Sequence, residues 1–261
     1  MNRSLWPWVG LHAWAALLLI GLAPAVLADE GWLAAPFTPL QLSIAGGESQ
    51  LFERQVPVYG LRLSALHGSQ SRVVGLDLGA FNDADSLTGL GLGAVNSAGD
   101  EAKGAVQLGL GNMSRGPLTG VQLGMFNGAL DDAIGVQLGA MNHAGTLSGL
   151  QLSVLNDTGS MTGASIGVCN RARGESLGAQ IGVVCGYVKG DFEGLQTGGA
   201  NLIRGELTGV QIGALNSTEG GEGFQLGFVN HAKSFRGLQV GILNFNENGL
   251  LPVLPLFNYG L

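Results

Sequence analysis

One short alternation of apolar and polar positions recurs along most of the chain. In Gly120-Val-Gln122-Leu-Gly124-Met-Phe-Asn127 and in Gly135-Val-Gln137-Leu-Gly139-Ala-Met-Asn142, apolar residues flank a Gln. A Gly follows, and two further apolar residues lead to an Asn. Other copies, some degenerate, end at Asn82, Asn96, Asn112, Asn156, Asn170, Asn201, Asn216, Asn230 and Asn244. With the recurrent Asn as position 0, positions −6 and −4 are apolar, and −5 and −3 are mostly Gln and Gly. A period of two is the mark of a strand with one buried face, and it predicts that the Val and Leu positions, Leu138 among them, face the core. Position +2 is often Ala. The stretch after it varies in length and holds most of the charge, as at Asp100-Glu101, Asp131-Asp132 and Lys189 to Glu193. Each unit therefore has a packed part and one solvated corner that tolerates insertions.

Self-similarity at a fixed period decides architecture before any single residue does. Aligned on the Asn, the slots are His67, the Asn residues above, Cys185 between Asn170 and Asn201, and Asn258 at the end, at intervals of 14 to 16 residues. Two all-β architectures fit. In a parallel β-solenoid of about 13 coils, like positions stack about 4.8 Å apart, and the Asn and Gln side chains can hydrogen-bond in ladders. Gly at −3 and −7 then serves bends and close coil packing. In an antiparallel outer-membrane β-barrel each repeat is one strand, with Val and Leu toward lipid and Gln and Gly toward the lumen. A barrel alternates short and long turns, so a strand-pair period near 30 is expected of it. The intervals show no such alternation, and an aromatic girdle is missing. The alternating apolar residues Phe257, Tyr259 and Leu261 speak for the barrel. The solenoid is the preferred reading.

The chain opens with Arg3, an apolar stretch from Leu11 to Leu22, and Ala25-Val-Leu-Ala28. This is the pattern of a secretory signal peptide cleaved after Ala28. An uncleaved membrane anchor over Leu11 to Leu27 is the rival. The domain reading is residues 1–28 signal peptide, 29–59 N-terminal cap segment with one strand over Thr38 to Ile44, 60–248 tandem-repeat β domain, and 249–261 C-terminal cap. The caps would cover the open ends of the stack, where unpaired strand edges invite association.

Composition narrows the partners. Arg3 is the only charged residue of the leader, which leaves 11 of the 12 basic residues and all 19 acidic ones, a net charge near −8. That argues against nucleic acid or an anionic membrane surface as the main partner. Glycine fills 46 of 261 positions, yet the chain is apolar enough to build a core, so the glycine belongs to ordered repeats. Cys169 and Cys185 lie about one repeat apart, and stacked cysteines can bond in an oxidising compartment. The alignment puts Cys169 before an Asn slot and Cys185 in one, on opposite faces, so two buried free thiols are the favoured reading and the bond stays open.

The residue types that carry chemistry are thinly spread. Gly89-Leu-Gly91-Leu-Gly93 approaches a dinucleotide motif but has no strand–helix–strand context. His143 and His231 each follow a slot Asn and sit about six coils apart, too far to share a metal; His67 is a third, separate histidine. Asp83 and Asp85, with Asp77 nearby, form a candidate Ca²⁺ corner without the calcium nonapeptide. The triplets at Asn112, Asn156 and Asn216 match the glycosylation signal only because a repeat Asn precedes a polar corner. No catalytic residue, metal ligand or cofactor is expected, and no enzyme.

The tandem Gly-Leu/Val-Gln-Leu/Ile-Gly-x-x-Asn units resemble bacterial surface-repeat proteins of the kind first noted in Leptospira. Val58-Tyr-Gly-Leu-Arg-Leu-Ser64 and Gly75-Leu-Asp-Leu-Gly79 look like that family's lead-in. Gly249-Leu-Leu-Pro-Val-Leu-Pro-Leu-Phe-Asn-Tyr-Gly260 looks like its close. The resemblance spans roughly residues 38–261 and implies an exported protein of the periplasm, outer membrane or cell surface. Some members look like lipoproteins; no lipobox Cys is present here. The expected function is a non-catalytic structural or binding role in the envelope with an unidentified partner, membrane association being left open. The barrel reading implies instead the passage or gating of small solutes.

Overall fold

A computed structural model describes residues 37–45 and 49–261. The expected signal peptide and the first part of the expected cap segment lie outside the described residues. The strands are β1 (Thr38–Ala45), β2 (Val58–Leu92), β3 (Val95–Leu108), β4 (Gly111–Ser114), β5 (Leu118–Leu123), β6 (Phe126–Leu138), β7 (Met141–Ala172), β8 (Ser176–Val188), β9 (Phe192–Ile203), β10 (Glu206–Leu226), β11 (Val229–Asn246) and β12 (Val253–Gly260). Every pairing from β1 to β11 is parallel, with like repeat positions in register: Gln122 against Gln137, Asn127 against Asn142. The chain is therefore a β-solenoid with coils of about 15 residues. The antiparallel barrel is overturned, because its strands would have to reverse at every repeat. Among the described strands, β12 alone pairs antiparallel with another strand, folding back along β11.

The interior holds the Gln and the Asn, not the Val and Leu. The Gln of the repeat are 0–1% exposed and the Asn 0–3%. Leu123 at position −4 is 47% exposed, and Leu138 is only half-buried. The expectation that positions −6 and −4 face the core is thus inverted. The alternation is that of a strand, but its inner face belongs to the polar set. Two more columns complete the interior. Position +2 supplies Ala84, Ala98, Ala129, Ala144 and Ala172; position −9 supplies Leu118, Ala133, Leu147, Met161, Phe192 and Leu207, all 0–2% exposed.

A buried amide without a partner is costly, and stacking removes the cost. Each Asn Nδ2 donates to the Oδ1 of the Asn one coil on, unbroken from Asn82 to Asn170 at 2.8–3.1 Å and again from Asn201 to Asn244 at 2.8 Å. The same Nδ2 donates its second proton to the −4 carbonyl of that next coil, as Asn127 does to Leu138 at 2.8 Å. The Gln ladder runs the other way. Gln122, Gln137 and Gln151 donate back to Gln107, Gln122 and Gln137, and Gln196, Gln211, Gln225 and Gln239 back to Gln180, Gln196, Gln211 and Gln225, at 2.6–2.8 Å. Gln137 Nε2 also reaches across its own coil to the His143 carbonyl at 3.0 Å. The two columns of amide dipoles therefore oppose each other. Unpaired amide atoms occur where ladders end: Asn82 Oδ1, Asn170 Nδ2, Asn201 Oδ1, Gln107 Nε2, Gln151 Oε1 and Gln239 Oε1.

Glycine fills the −7 column in every coil from Gly60 to Gly237 but one, where Ala105 stands in the column and the positive φ falls on Gly104. Gly120, Gly135 and Gly149 hold φ of 148°, 140° and 147°, and a Cβ on Gly135 would sit 1.9 Å from the Gly120 carbonyl oxygen. This backbone bend, rather than a break, carries β2 and β7 through several sides of the coil. At the N-terminal end the Gln column gives way to Arg62 and Asp77, joined by bonds of 2.7 and 2.5 Å in the interior. Burial pushes the Asp77 carboxyl above its ordinary range, against the pull of the Arg62 hydrogen bonds and charge.

The ends correct the alignment. The stack makes about 11 turns rather than 13. His67 is half-exposed and Gly68 is the buried residue beside it, so His67 is not a ladder slot. Asn258 lies in the antiparallel strand opposite Gln239, outside the Asn column. Strand β1 already stacks on β2, with Gln41 opposite Arg62. The segment after it is tied down by Phe52 N donating to Gln41 Oε1 at 3.0 Å and Gln41 Nε2 donating to the Phe52 carbonyl at 2.8 Å.

Replacing Asn142 by Leu removes two rungs at once, leaving one Nδ2 hydrogen of Asn127 without its acceptor and Asn156 Oδ1 with Ser153 Oγ alone, at a cost of about 1–3 kcal/mol. Leu138→Asp, on the outer face, is expected to cost no more than about 1 kcal/mol. Thermal denaturation of the two variants side by side checks this order; a larger loss for Leu138→Asp would restore the apolar interior.

Candidate functional site

The outer surface carries two columns beside the buried Asn, at positions −1 and +1, because neighbours of an inward residue on a strand point outward. Between them runs a groove of about 800 Å³ over the coils from Val95 to Tyr187. The −1 wall is apolar: Val95, Phe126, Met141, Leu155, then Cys169 and Cys185. The +1 wall begins with Met113 and continues as His143, Asp157, Arg171 and Tyr187 on successive coils. Gly111 and Gly128 contribute no side chain to the walls, which widens the groove there.

Asp157 organises the polar wall. His143 Nδ1 lies 3.1 Å from Asp157 Oδ2, Arg173 donates to the same oxygen, and Arg171 Nε is 3.9 Å from Oδ1. The Arg171 guanidinium stands 6.0 Å from the centre of the Tyr187 ring. Such a row of half-exposed charges fixes side-chain positions but contributes modestly to stability. What the groove offers a ligand is one apolar wall and one wall of fixed hydrogen-bonding groups.

Cys169 and Cys185 are joined by a disulfide with Cα atoms 4.7 Å apart. The expectation of two free thiols on opposite faces is overturned. One extra residue, in Gly182-Val-Val-Cys185, shifts the register, so Cys185 stacks on Cys169 and Gly186 stacks on Asn170. The Asn slot is Gly186, not Cys185. This junction is where the ladders fail together. Gly186 brings no amide to Asn170, and Ser165 turns to Asn170 Oδ1 at 3.1 Å instead of extending the Gln column toward Gln180. From Asn82 to Asn244 every other junction between coils has at least one amide rung; this one has the disulfide.

The other singled-out residues do not converge. Asp77 is inside with Arg62, while Asp83 and Asp85 share Arg54 on the surface. Among the described residues no three His, Cys, Asp or Glu side chains gather as a metal site. His231 is exposed, its ring 6.2 Å from that of Phe245. Gly89 belongs to the positive-φ column, with φ 114°, and Gly91 is buried between Asp77 and Gln107 of the Gln column. The amides of Asn112, Asn156 and Asn216 are ladder rungs and face no solvent.

Compared with protein-family models, curated proteins and solved structures, the chain matches none. The +1 wall was not singled out from the sequence, although it is legible as the residue after each slot once the register at Gly186 is set.

Loss of the bond in Cys169→Ser/Cys185→Ser, a loop of separation 16, is expected to cost about 3 kcal/mol. Hydrogen exchange should rise first in the coils flanking Ala172 to Ser176 while Asn96 to Asn142 stays protected. Uniform exchange along the stack would mean that the disulfide staples nothing.

Proposed function

We propose that the chain is an exported, non-catalytic repeat protein of a bacterial envelope or surface, with a structural or binding role. The observation that carries this reading is the allocation of its polar groups. The Gln and Asn of the repeat are consumed in holding the coils together, and what is left outside is a long regular surface suited to contact rather than turnover. A disulfide placed where the ladders lapse supports an oxidising compartment, since such bonds persist outside the reducing cytosol. The leader pattern and the resemblance to surface-repeat proteins point the same way. The solute-passing alternative loses its basis with the barrel, because the interior of the solenoid is filled by the four packed columns.

Fractionation of the native host, with intact mass of the protein recovered, tests the reading. The expected result is a protein beginning at Asp29, found in the periplasm, outer membrane or medium, with Cys169 and Cys185 oxidised. A cytosolic, reduced protein retaining Trp6 and Trp8 would overturn it.

A further inference from the structure

The outer flank from position −7 to the Asn is uncharged along the whole stack. Between Gly60 and Asn244 the charged residues in that part of the repeat are Arg62 and Asp77, and both point inward. The other charges of these coils follow the Asn or precede position −7, and of these Asp157 and Arg171, at +1, stand in the polar wall of the groove. The flank is also apolar and open. At position −2, Leu110, Met125, Val154, Val184, Phe228 and Ile242 are 49–64% exposed and form a ridge, lowered at Ala140, Gly199 and Ala214. Immediately beside the ridge lies the groove between the −1 and +1 columns.

We propose that this flank is the interface between two copies of the chain, the ridge of each lying in the groove of the other. Ridge and groove are neighbours and run parallel to the stack axis, so a two-fold rotation brings each against its complement; a self-complementary patch is what an isologous dimer requires. A stack of about 11 turns is about 50 Å long, and the six residues from −6 to −1 are about 20 Å wide. That makes about 1,000 Å² per copy, against the roughly 800 Å² per partner of a stable interface. Apolar patches left open on monomers are smaller, a few hundred Å². Charge decides between occupants. Two acidic chains meet here over a face with no outward charge from −7 to −1, and the groove-wall carboxylate, Asp157, is already paired with Arg171 and Arg173 of its own chain. A bilayer surface instead selects for free basic residues along the rim of an apolar face; here Arg171 at the groove edge is paired with Asp157, and the single basic residue at −8, Arg236, is outnumbered by Glu193 and Glu222. The inference goes beyond the envelope reading and stands whether or not the chain is exported.

Residues 29–261 are measured without detergent by sedimentation and light scattering over a concentration series. The expected mass is that of two chains at micromolar concentration. Met125→Glu/Phe228→Glu on the ridge, and separately Met113→Glu in the groove, should halve it with an unchanged far-ultraviolet spectrum, while Asp131→Lys on the charged corner should not. The wild-type mass stands as a test even where a variant fails to fold. A wild-type chain that remains single at every concentration overturns the proposal. So does a single chain that floats with phosphatidylcholine vesicles, which makes lipid the occupant. So does a pair that survives both the ridge and the groove variants, which places the contact elsewhere.

Discussion

The hydrogen-bonding demand of a primary amide buried in a narrow interior governs this solenoid. An Asn or Gln side chain has two donors and an acceptor, and inside the coil water meets none of them. One partner lies in the next coil and another on a backbone carbonyl that the turn would leave free, so satisfying the amide fixes the register of coil on coil. Chains of such bonds polarise one another, and the low-dielectric interior strengthens each of them. The opposed directions of the Asn and Gln ladders keep those aligned dipoles from adding. The same demand sets the glycine. With coils held at strand spacing, the Gly135 carbonyl lies where a Cβ on Gly149 would be, 2.0 Å away.

Exceptions to the ladder show what replaces an amide. At the N-terminal end a buried guanidinium and carboxylate take two adjacent slots, and Arg62 donates a further bond to the Asp83 carbonyl at 2.7 Å. A buried pair is tolerable when its remaining hydrogens are satisfied in this way. In the middle, where Ser165 and Gly186 interrupt both columns, a covalent bond on the outer surface spans the gap. At the C-terminal end β12 turns back, and Asn258 spends its amide locally, donating to the Leu251 carbonyl at 2.9 Å. An antiparallel strand with Pro252 and Pro255 makes a poor template for another coil.

Much of the architecture was legible in the sequence. The period gave stacked coils, the even spacing separated solenoid from barrel, and the ladders followed from identical residues at identical positions. The inside–outside assignment was not legible, because period two states that faces alternate and hydrophobicity alone assigned them. Leu138 and Gln137 show why that fails here: a Gln that bonds its own kind in the coils on both sides carries no desolvation debt, so it competes for the interior on size and shape. The Cys169–Cys185 bond was hidden by a one-residue bulge at Val183-Val184, a register shift that only backbone geometry reveals. The groove escaped notice because its polar wall is built from residues of different type, His143, Asp157, Arg171 and Tyr187, which share a position but no motif.

Side-chain amide exchange measures the ladder most directly. In a nitrogen–proton spectrum of residues 29–261, the NH₂ protons of Asn96, Asn112, Asn127 and Asn142 and of Gln122 and Gln137 should exchange far more slowly than those of Asn248, which lies on the surface. Protection should fall toward the ladder ends at Asn82 and Asn170. Exchange of the repeat Asn and Gln amides at the rate of Asn248 would contradict the account, because it would place those side chains in water and leave the coils held by something else.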